Sequence, residues 1–329
     1  MLLKKRLDGD NSLSNFDRQE TVPGAFFEYT YSHLDKFNLV AGIRVDYHNL
    51  FGTFVTPRLH VRYAPTKKTI IRLSGGRGQR TANIISENTG LLASSREIVI
   101  MGDEESDKPY GLNPEVAWNY GVNFTQHFAL DYRDGLISLD FYRTDFENQI
   151  VVDLDQSPQQ AVFYNLIGES YSNSFQAQVD YEVIKRLDVR LAYRWYDVKT
   201  NYDGGLKAKP LVAENRAFAN LAYETRKYWK FDYTINWQGP KRIPTTHSNP
   251  EEFRLATTSP DFYTMNFQVS KSWKKLFEVY VGMENLLDYK QENPILAGDQ
   301  PFSPYFESSL VWGPIFGRSF YVGLRYKIK

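Results

Sequence analysis

The stretch "WKFDYTINWQ", residues 229–238, alternates bulky apolar and polar side chains without a break. The apolar set is Trp229, Phe231, Tyr233, Ile235 and Trp237, and the polar set is Lys230, Asp232, Thr234, Asn236 and Gln238. Because successive side chains of a β-strand point to opposite faces, the pattern predicts a strand with one apolar and one polar face. Tryptophan at both ends of the apolar face is typical of a boundary between a dry and a wet medium.

The same alternation recurs along the chain and predicts about thirteen strands. Many of them run ten residues or more, whereas strands of soluble domains usually run about five or six. About nine to eleven tilted residues are enough to cross a bilayer. The fold class predicted is therefore all-β, a transmembrane antiparallel β-barrel. The predicted strands span roughly 20–32, 37–48, 55–64, 68–76, 115–128, 134–152, 169–184, 186–198, 213–226, 228–238, 261–274, 276–288 and 317–329.

The connections between these strands alternate in length. Short turns such as "APTKK" and "ETRKY" are followed by long loops, and the connection near 49–54 is the exception. Short turns at one end and long loops at the other are typical of outer-membrane barrels, with turns in the periplasm and loops outside. The predicted long loops lie near 77–114, 153–168, 199–212, 239–260 and 289–316.

The tryptophans fit the same scheme. Three of the six lie near the loop ends of predicted strands and two near the turn ends, which predicts two belts at the membrane interfaces. The sixth, Trp312, lies in a loop. The loop-end belt consists of Trp118, Trp195 and Trp237, and the turn-end belt of Trp229 and Trp273.

The amino-acid composition limits the classes of partner and of membrane segment that the chain can have. The 329 residues carry 39 basic and 39 acidic side chains, so no basic excess suggests a nucleic-acid partner. There is no cysteine, and no apolar run is long enough for a transmembrane helix. The mean hydropathy of −0.48 suits a barrel whose lumen face and loops are polar. A soluble β-sandwich would also alternate, but it would not explain the strand lengths, the loop asymmetry or the tryptophan positions.

Five stretches of the chain carry further motifs. They are "TPRLHVRYAP" with "IIRLSGGRGQRTANIISE" (56–87), "GLNPEVAWNYGVNF" (111–124), "ESYSNSFQAQVDY" (169–181), "VGMENLLDYKQ" (281–291) and "GRSFYVGLRYKIK" (317–329). In type and order these motifs resemble those of TonB-dependent outer-membrane receptors, and the resemblance covers nearly the whole chain from about residue 20. Two departures are Thr81-Ala82, where the family usually has Ala-Pro, and the terminal Ile328-Lys329 in place of an aromatic residue.

The resemblance implies a 22-stranded barrel around an N-terminal plug. We therefore expect an irregular lead-in over 1–19 and a partial barrel over 20–329, with the plug and the first strands missing. It further implies location in the bacterial outer membrane and TonB-energised uptake of a siderophore, cobalamin or similar chelate. The expected partners are membrane lipid, the small-molecule or metal-chelate substrate, and the TonB complex acting through the plug, with no nucleic acid.

Other functions are weighed against this one. A passive porin or an adhesive surface barrel is the alternative, and a soluble carbohydrate-binding sandwich is a remote one. No catalytic constellation is visible, so neither enzyme activity nor a cofactor is predicted. The acidic stretch at 101–110 could hold a divalent cation, although a solvated loop is the simpler interpretation.

Outer-loop aromatic residues are the candidates for substrate contact. Ligand sites in barrel mouths gather aromatic side chains with a few polar groups. The segment 81–101 in the longest loop is apolar enough to fold back over the mouth. The alternative is that these aromatic side chains only pack one loop on another. The candidates are Tyr110, Phe302, Tyr305, Phe306 and Trp312.

Overall fold

A computed structural model describes residues 19–103, 105–273 and 276–328. The predicted irregular lead-in over 1–19 lies outside the described residues, apart from residue 19. Helical structure within the described ranges is limited to one α-helical turn and three 3₁₀ turns, and none of it is long and apolar enough to cross a membrane. The α-helical turn is Ile84–Glu87, and the 3₁₀ turns are Thr89–Ala93, Pro109–Gly111 and Glu251–Phe253.

Two sheets account for the strands of the described residues. Thirteen long strands form one continuous antiparallel sheet, in which each pairs with the next long strand along the chain, and a short β12 is added beside β11. A separate small sheet has the order β5-β9-β8. The strands are β1 (Gly24–His33), β2 (Phe37–His48), β3 (Gly52–Tyr63), β4 (Thr69–Arg80), β5 (Glu97–Met101), β6 (Glu115–Leu130), β7 (Arg133–Asn148), β8 (Ile150–Asp153), β9 (Gln160–Asn165), β10 (Ser170–Ile184), β11 (Leu187–Tyr202), β12 (Gly205–Ala208), β13 (Asn215–Glu224), β14 (Trp229–Gln238), β15 (Phe262–Trp273), β16 (Phe277–Glu284) and β17 (Ser319–Tyr326).

All thirteen predicted long strands are confirmed, and β2 agrees with its predicted range at both ends. One prediction was wrong in extent, because the segment predicted as a single strand over 134–152 is two strands in two different sheets. The break falls at Gln149, whose side-chain oxygen accepts a hydrogen bond from Ser170 Oγ at 2.6 Å. Strands β8 and β9 are mostly buried on both faces, so they lack the two-residue alternation that identifies the long strands.

The connections also follow the predicted asymmetry. The turns at 34–36, 131–132 and 185–186 are two or three residues long, whereas the connections at 81–114 and 285–318 exceed thirty. Because consecutive long strands are antiparallel, all the long loops emerge at one end of the sheet, the loop end, and most of the short turns at the other, the turn end.

The two faces of the sheet differ in chemistry. On one face, Leu221, Tyr233 and Phe267 are direct cross-strand neighbours, and the row continues through Met283 to Phe320. Phe267 is 36% exposed and Phe320 69% exposed, so this apolar face is open rather than packed into a core. A soluble sandwich would bury it, and so the exposed apolar band requires a nonpolar medium.

The opposite face carries hydrogen bonds between polar side chains. Asn220 Nδ2 donates to Asp232 Oδ1 and to Thr234 Oγ1, each at 3.0 Å. Tyr321 Oη donates to Gln268 Oε1 at 2.9 Å. This face therefore satisfies its polar groups across neighbouring strands, as the wall of an aqueous or polar lumen would.

A substitution in β14 tests this assignment of faces. Replacing Ile235 with Arg places a cation on the apolar face and should lower the free energy of unfolding by about 2–4 kcal/mol. Thr234→Arg, one residue away on the polar face, should cost much less. The measurement is denaturant unfolding in phospholipid vesicles. Equal losses for the two variants would contradict the assignment.

Candidate functional site

The long loops pack together at their end of the sheet. In the small sheet there, β5 pairs in parallel with β9, which pairs antiparallel with β8. The segment 81–101 contributes to the buried apolar cluster beneath it. The loops are therefore a packed layer with its own core. The buried members of the cluster are Ala82, Ile84, Leu91, Leu112, Ile150, Ala161 and Phe163.

A buried arginine joins three of these loops. The Arg96 side chain is 1% exposed and forms an ion pair with Glu307, which is 5% exposed. Its Nη1 donates to the backbone carbonyls of Leu154, Ser157 and Gln160 at 3.2, 3.0 and 2.8 Å. Removing one partner of such a buried pair leaves an uncompensated charge, which is strongly destabilising.

Two buried carboxylates join the next set of loops. Asp153 accepts hydrogen bonds from Tyr164 Oη at 3.1 Å and from the backbone N–H of Asp203 at 3.3 Å. Burial, and then the Asp153 charge, raise the pKa of Tyr164, so the hydroxyl stays protonated. Asp155 pairs with Arg242 at 2.7 Å. These contacts connect three consecutive long loops.

Three cations lie near the loop end, two of them on the polar face of the sheet and one in a loop. Arg194 on β11 lies directly opposite Arg216 on β13. Lys241, in the loop after β14, is 8% exposed, and its pKa is lowered by burial and then by the charge of Arg216. A nearby like charge disfavours the charged form of a group, which is the effect of Arg216 on Lys241. We call Arg194, Arg216 and Lys241 the cation cluster.

The partners of the cation cluster are neutral. Arg194 donates through Nε to Gln176 Oε1 at 2.9 Å, and Lys241 Nζ donates to the backbone carbonyl of Trp312. Arg216 Nε is buried and has no hydrogen-bond partner. No salt bridge within the described ranges joins the cluster to a carboxylate, in contrast to the neighbouring Arg190, which pairs with Asp180.

A cavity of about 600 Å³ lies among the long loops, beside strands β5 and β9. Its lining mixes aromatic, aliphatic and amide side chains, which is the composition of many small-molecule sites. The cavity is lined by Met101, Gln156, Tyr164, Asn165, Leu166, Ile167, Asn201, Tyr202 and Asp203.

Two of the predicted contact residues make ring contacts with other segments. Trp312 packs against Phe262 with ring centroids 6.2 Å apart, and its backbone carbonyl accepts a hydrogen bond from the amine of Lys241. Tyr305 stacks on Phe253 at 4.9 Å. Trp312 is therefore the predicted contact residue that lies at the cation cluster.

The remaining three lie elsewhere in the loops. Phe302 is 87% exposed. Phe306 is partly buried, and its carbonyl accepts the backbone N–H of Ser95 at 2.7 Å. Tyr110 packs against the buried apolar cluster, and its Oη lies 3.4 Å from Asn83 Oδ1. The five residues thus do not form one patch, and their contact with substrate stays a prediction.

The predicted belt tryptophans lie at the two ends of their strands. At the loop end each indole N–H donates to a carboxylate on a neighbouring segment. At the turn end Trp229 and Trp273 are 42% and 46% exposed. Their role as interface belts stays a prediction. The loop-end pairs are Trp118 with Glu147 at 2.9 Å, Trp195 with Glu214 at 3.1 Å, and Trp237 with Asp261 at 2.9 Å.

The cation cluster was missed by the sequence reasoning. Arg194 and Arg216 each have polar-face parity in their strands, and this was a usable signal. Their mutual approach depends on the β11–β13 register, which a sequence alone does not supply. Among the described residues, no group of three or more His, Asp or Glu side chains is arranged to hold a metal ion; residue 104 of the acidic stretch lies outside them.

The sequence matches the family model described as TonB dependent receptor-like, beta-barrel over residues 5–286. The chain belongs to this family, and like its members it is an outer-membrane protein of Gram-negative bacteria. A search of curated proteins gives no match.

Solved structures with the same fold are receptors of low sequence identity. A mutant ferric enterobactin receptor of Pseudomonas aeruginosa, in complex with enterobactin, is 15% identical with a TM-score of 0.69, covering 93% of this chain and 45% of its own. The ferric-catecholate import receptor Fiu of E. coli is 13% identical, with a TM-score of 0.63 and coverages of 93% and 44%. The siderophore receptor PirA of P. aeruginosa is 13% identical, with a TM-score of 0.60 and coverages of 95% and 49%. The chain thus spans less than half of each of these structures.

The buried ion pair of the loop layer gives a testable expectation. Arg96→Leu should leave Glu307 buried without its partner and destabilise the loop layer locally by about 3–5 kcal/mol. Arg80→Leu is the control at the start of the same loop and should cost less. The Arg80 side chain is 56% exposed and pairs with Glu87, which is 36% exposed, and with Glu115, which is 12% exposed. A solvent-exposed pair contributes about 0–1 kcal/mol. Hydrogen exchange of the amides in 81–114 measures the effect. Unchanged protection in Arg96→Leu would show that the pair does not hold the loops.

Proposed function

We propose that this chain is part of the barrel of an outer-membrane receptor that takes up an anionic metal chelate, of the ferric siderophore class. The single observation that carries the proposal is the cation cluster. Arg194, Arg216 and Lys241 converge without a carboxylate, and Arg216 Nε is buried and unsatisfied. A buried donor without an acceptor costs free energy, and a bound anion would supply the acceptor through charge-assisted hydrogen bonds.

The alternative substrate, a neutral chelate such as cobalamin, is less well matched. It would leave the mutual repulsion of the three cations uncompensated. The printed descriptions of the similar structures support the anionic class, since they name enterobactin, a ferric catecholate and siderophores as what those proteins bind. The same descriptions favour a receptor over an enzyme.

The aromatic residues of the outer loops complete the proposed site. The backbone carbonyl of Trp312 accepts a hydrogen bond from Lys241 Nζ, which brings this residue to the cation cluster. Its indole ring, which packs near Phe262, would then cover one face of a chelate whose charge is bound by the cluster. Phe302 is exposed and free to approach a ligand from the loop side. Tyr110, Tyr305 and Phe306 would support these contacts from within the packed loops.

The rest of the transport cycle is proposed for the whole receptor. Residues 20–329 would form the barrel portion, and the TonB complex would act through an N-terminal plug. Two observations support this division. The chain covers less than half of the similar structures, and the sheet of the described residues has two outer strands, β1 and β17, with no pairing between them. The five belt tryptophans would anchor this barrel in the lipid.

Ligand binding by a charge-neutral variant tests the proposal. Arg216→Gln should lower the affinity for an anionic ferric tricatecholate about 10-fold or more, which is the range of a hydrogen bond to a charged group. Arg190→Gln is the control, because Arg190 also lies on the polar face but pairs with Asp180. Tryptophan fluorescence titration of the receptor purified from outer membranes measures both affinities.

A neutral ferric hydroxamate serves as the second ligand. Its affinity should be unchanged by Arg216→Gln. If the variant binds both chelates as the parent protein does, or loses both equally, the cation cluster is not the anion site and the proposed substrate class is wrong.

A further inference from the structure

A lysine interrupts the apolar face of β15 at the turn end. Along this face β15 carries Tyr263, Met265, Phe267 and Val269, and the next residue is Lys271. Its cross-strand neighbours are Trp229 on β14 and Val279 on β16. The apolar face is the side toward lipid, so this ammonium is directed to the membrane rather than to the lumen.

Two tryptophan rings hold the ammonium in place. Lys271 Nζ lies 5.3 Å from the ring centroid of Trp229 and 5.9 Å from that of Trp273, within the range of cation–π interactions. It also donates to the backbone carbonyl of Lys227 in the turn 225–228. Because an ammonium has three N–H donors, others remain for a further acceptor.

The surroundings of the Lys271 ammonium indicate which kind of acceptor it would bind. Trp273 packs on Phe277 at 5.6 Å, and Phe277 lies opposite Tyr326 on β17, so an apolar shelf borders the ammonium. No salt bridge of the described residues uses Lys271. Tyrosine and tryptophan concentrate where acyl chains meet headgroups. At this boundary, the acceptor that suits a lysine ammonium beside an apolar surface is the phosphate of a lipid, whose acyl chain lies next to it.

The turn 225–228, which contacts Lys271, is basic. Basic residues recur in other short turns as well, alongside Asp35 and Asp131, and basic residues near a membrane surface attract anionic lipid. At the loop end, by contrast, the belt tryptophans face carboxylates. The two ends of the sheet are therefore not equivalent. The basic turn residues include Lys36, Lys67, Lys68, Lys185, Arg186, Arg226 and Lys227.

We propose that Lys271, Trp229 and Trp273 form a binding site for the phosphate of an anionic phospholipid in the periplasmic leaflet. The ammonium contacts the phosphate, and the rings of Trp229, Trp273 and Phe277 contact the glycerol and the upper acyl chain. The site is separate from the proposed chelate site and does not depend on it, because it lies at the opposite end of the strands and on the opposite face.

Quenching by brominated lipids tests the site. The protein purified from outer membranes is reconstituted in bilayers, and quenching of its tryptophans by brominated phosphatidylglycerol is compared with quenching by brominated phosphatidylcholine. Lys271→Met should reduce the preference for phosphatidylglycerol about fivefold, which corresponds to about 1 kcal/mol for one basic residue at an anionic surface. Lys271→Arg should retain the preference.

A lysine on the other face is the matched control. Lys230 lies next to Trp229 at the same end of the sheet but on the polar face, where it pairs with Glu224 at 3.6 Å. Lys230→Met should keep the lipid preference. The proposal is overturned if Lys271→Met behaves like the parent protein, if Lys230→Met loses as much, or if inorganic phosphate abolishes the preference at concentrations that leave the bilayer intact.

Discussion

The fold depends on one constraint, which is that a strand in hydrocarbon must pair its backbone groups and show lipid only apolar side chains. Between its outer strands β1 and β17 the long sheet pairs its backbone groups, and its lipid-facing side is mostly apolar, with Lys271 near the turn end as an exception. Its strands are joined in register from β1 to β17, and rows such as Leu221, Tyr233 and Phe267 cross several strands on one face. The medium outside therefore takes the place of a core. This explains why large apolar side chains are exposed along the strands, while the buried apolar cluster of the described residues lies in the loops.

The loop end of the sheet is stabilised in a different way from the strands. Water is present there, so the loops must build their own packing and bury charges only in compensated pairs. Arg96 with Glu307, and Asp155 with Arg242, join segments that are far apart in sequence. These pairs, together with the small sheet, give the loops a defined arrangement. The cation cluster stands out against that background. Arg194 and Lys241 donate to neutral acceptors and Arg216 Nε has none, whereas the neighbouring Arg190 has a carboxylate.

The two ends of the barrel wall also differ in charge. Carboxylates receive the indole N–H groups at the loop end, whereas an ammonium lies between two indoles at the turn end. Tryptophan serves both environments because its ring is apolar and carries both a donor edge and an electron-rich face. The same residue type thus meets an acidic environment at one interface and a basic one at the other.

The sequence by itself determined the strands, their faces and the alternation of short turns with long loops, because a two-residue period is a local property that each strand carries alone. It also carried the family motifs. It did not determine the small sheet, since β8 and β9 are short and buried on both sides and so lack that period. Nor could it place Arg194 opposite Arg216, or Arg96 against Glu307, 211 residues away. Those contacts exist only once strand register and loop packing bring distant segments together, so tertiary structure alone decided which charged side chains meet.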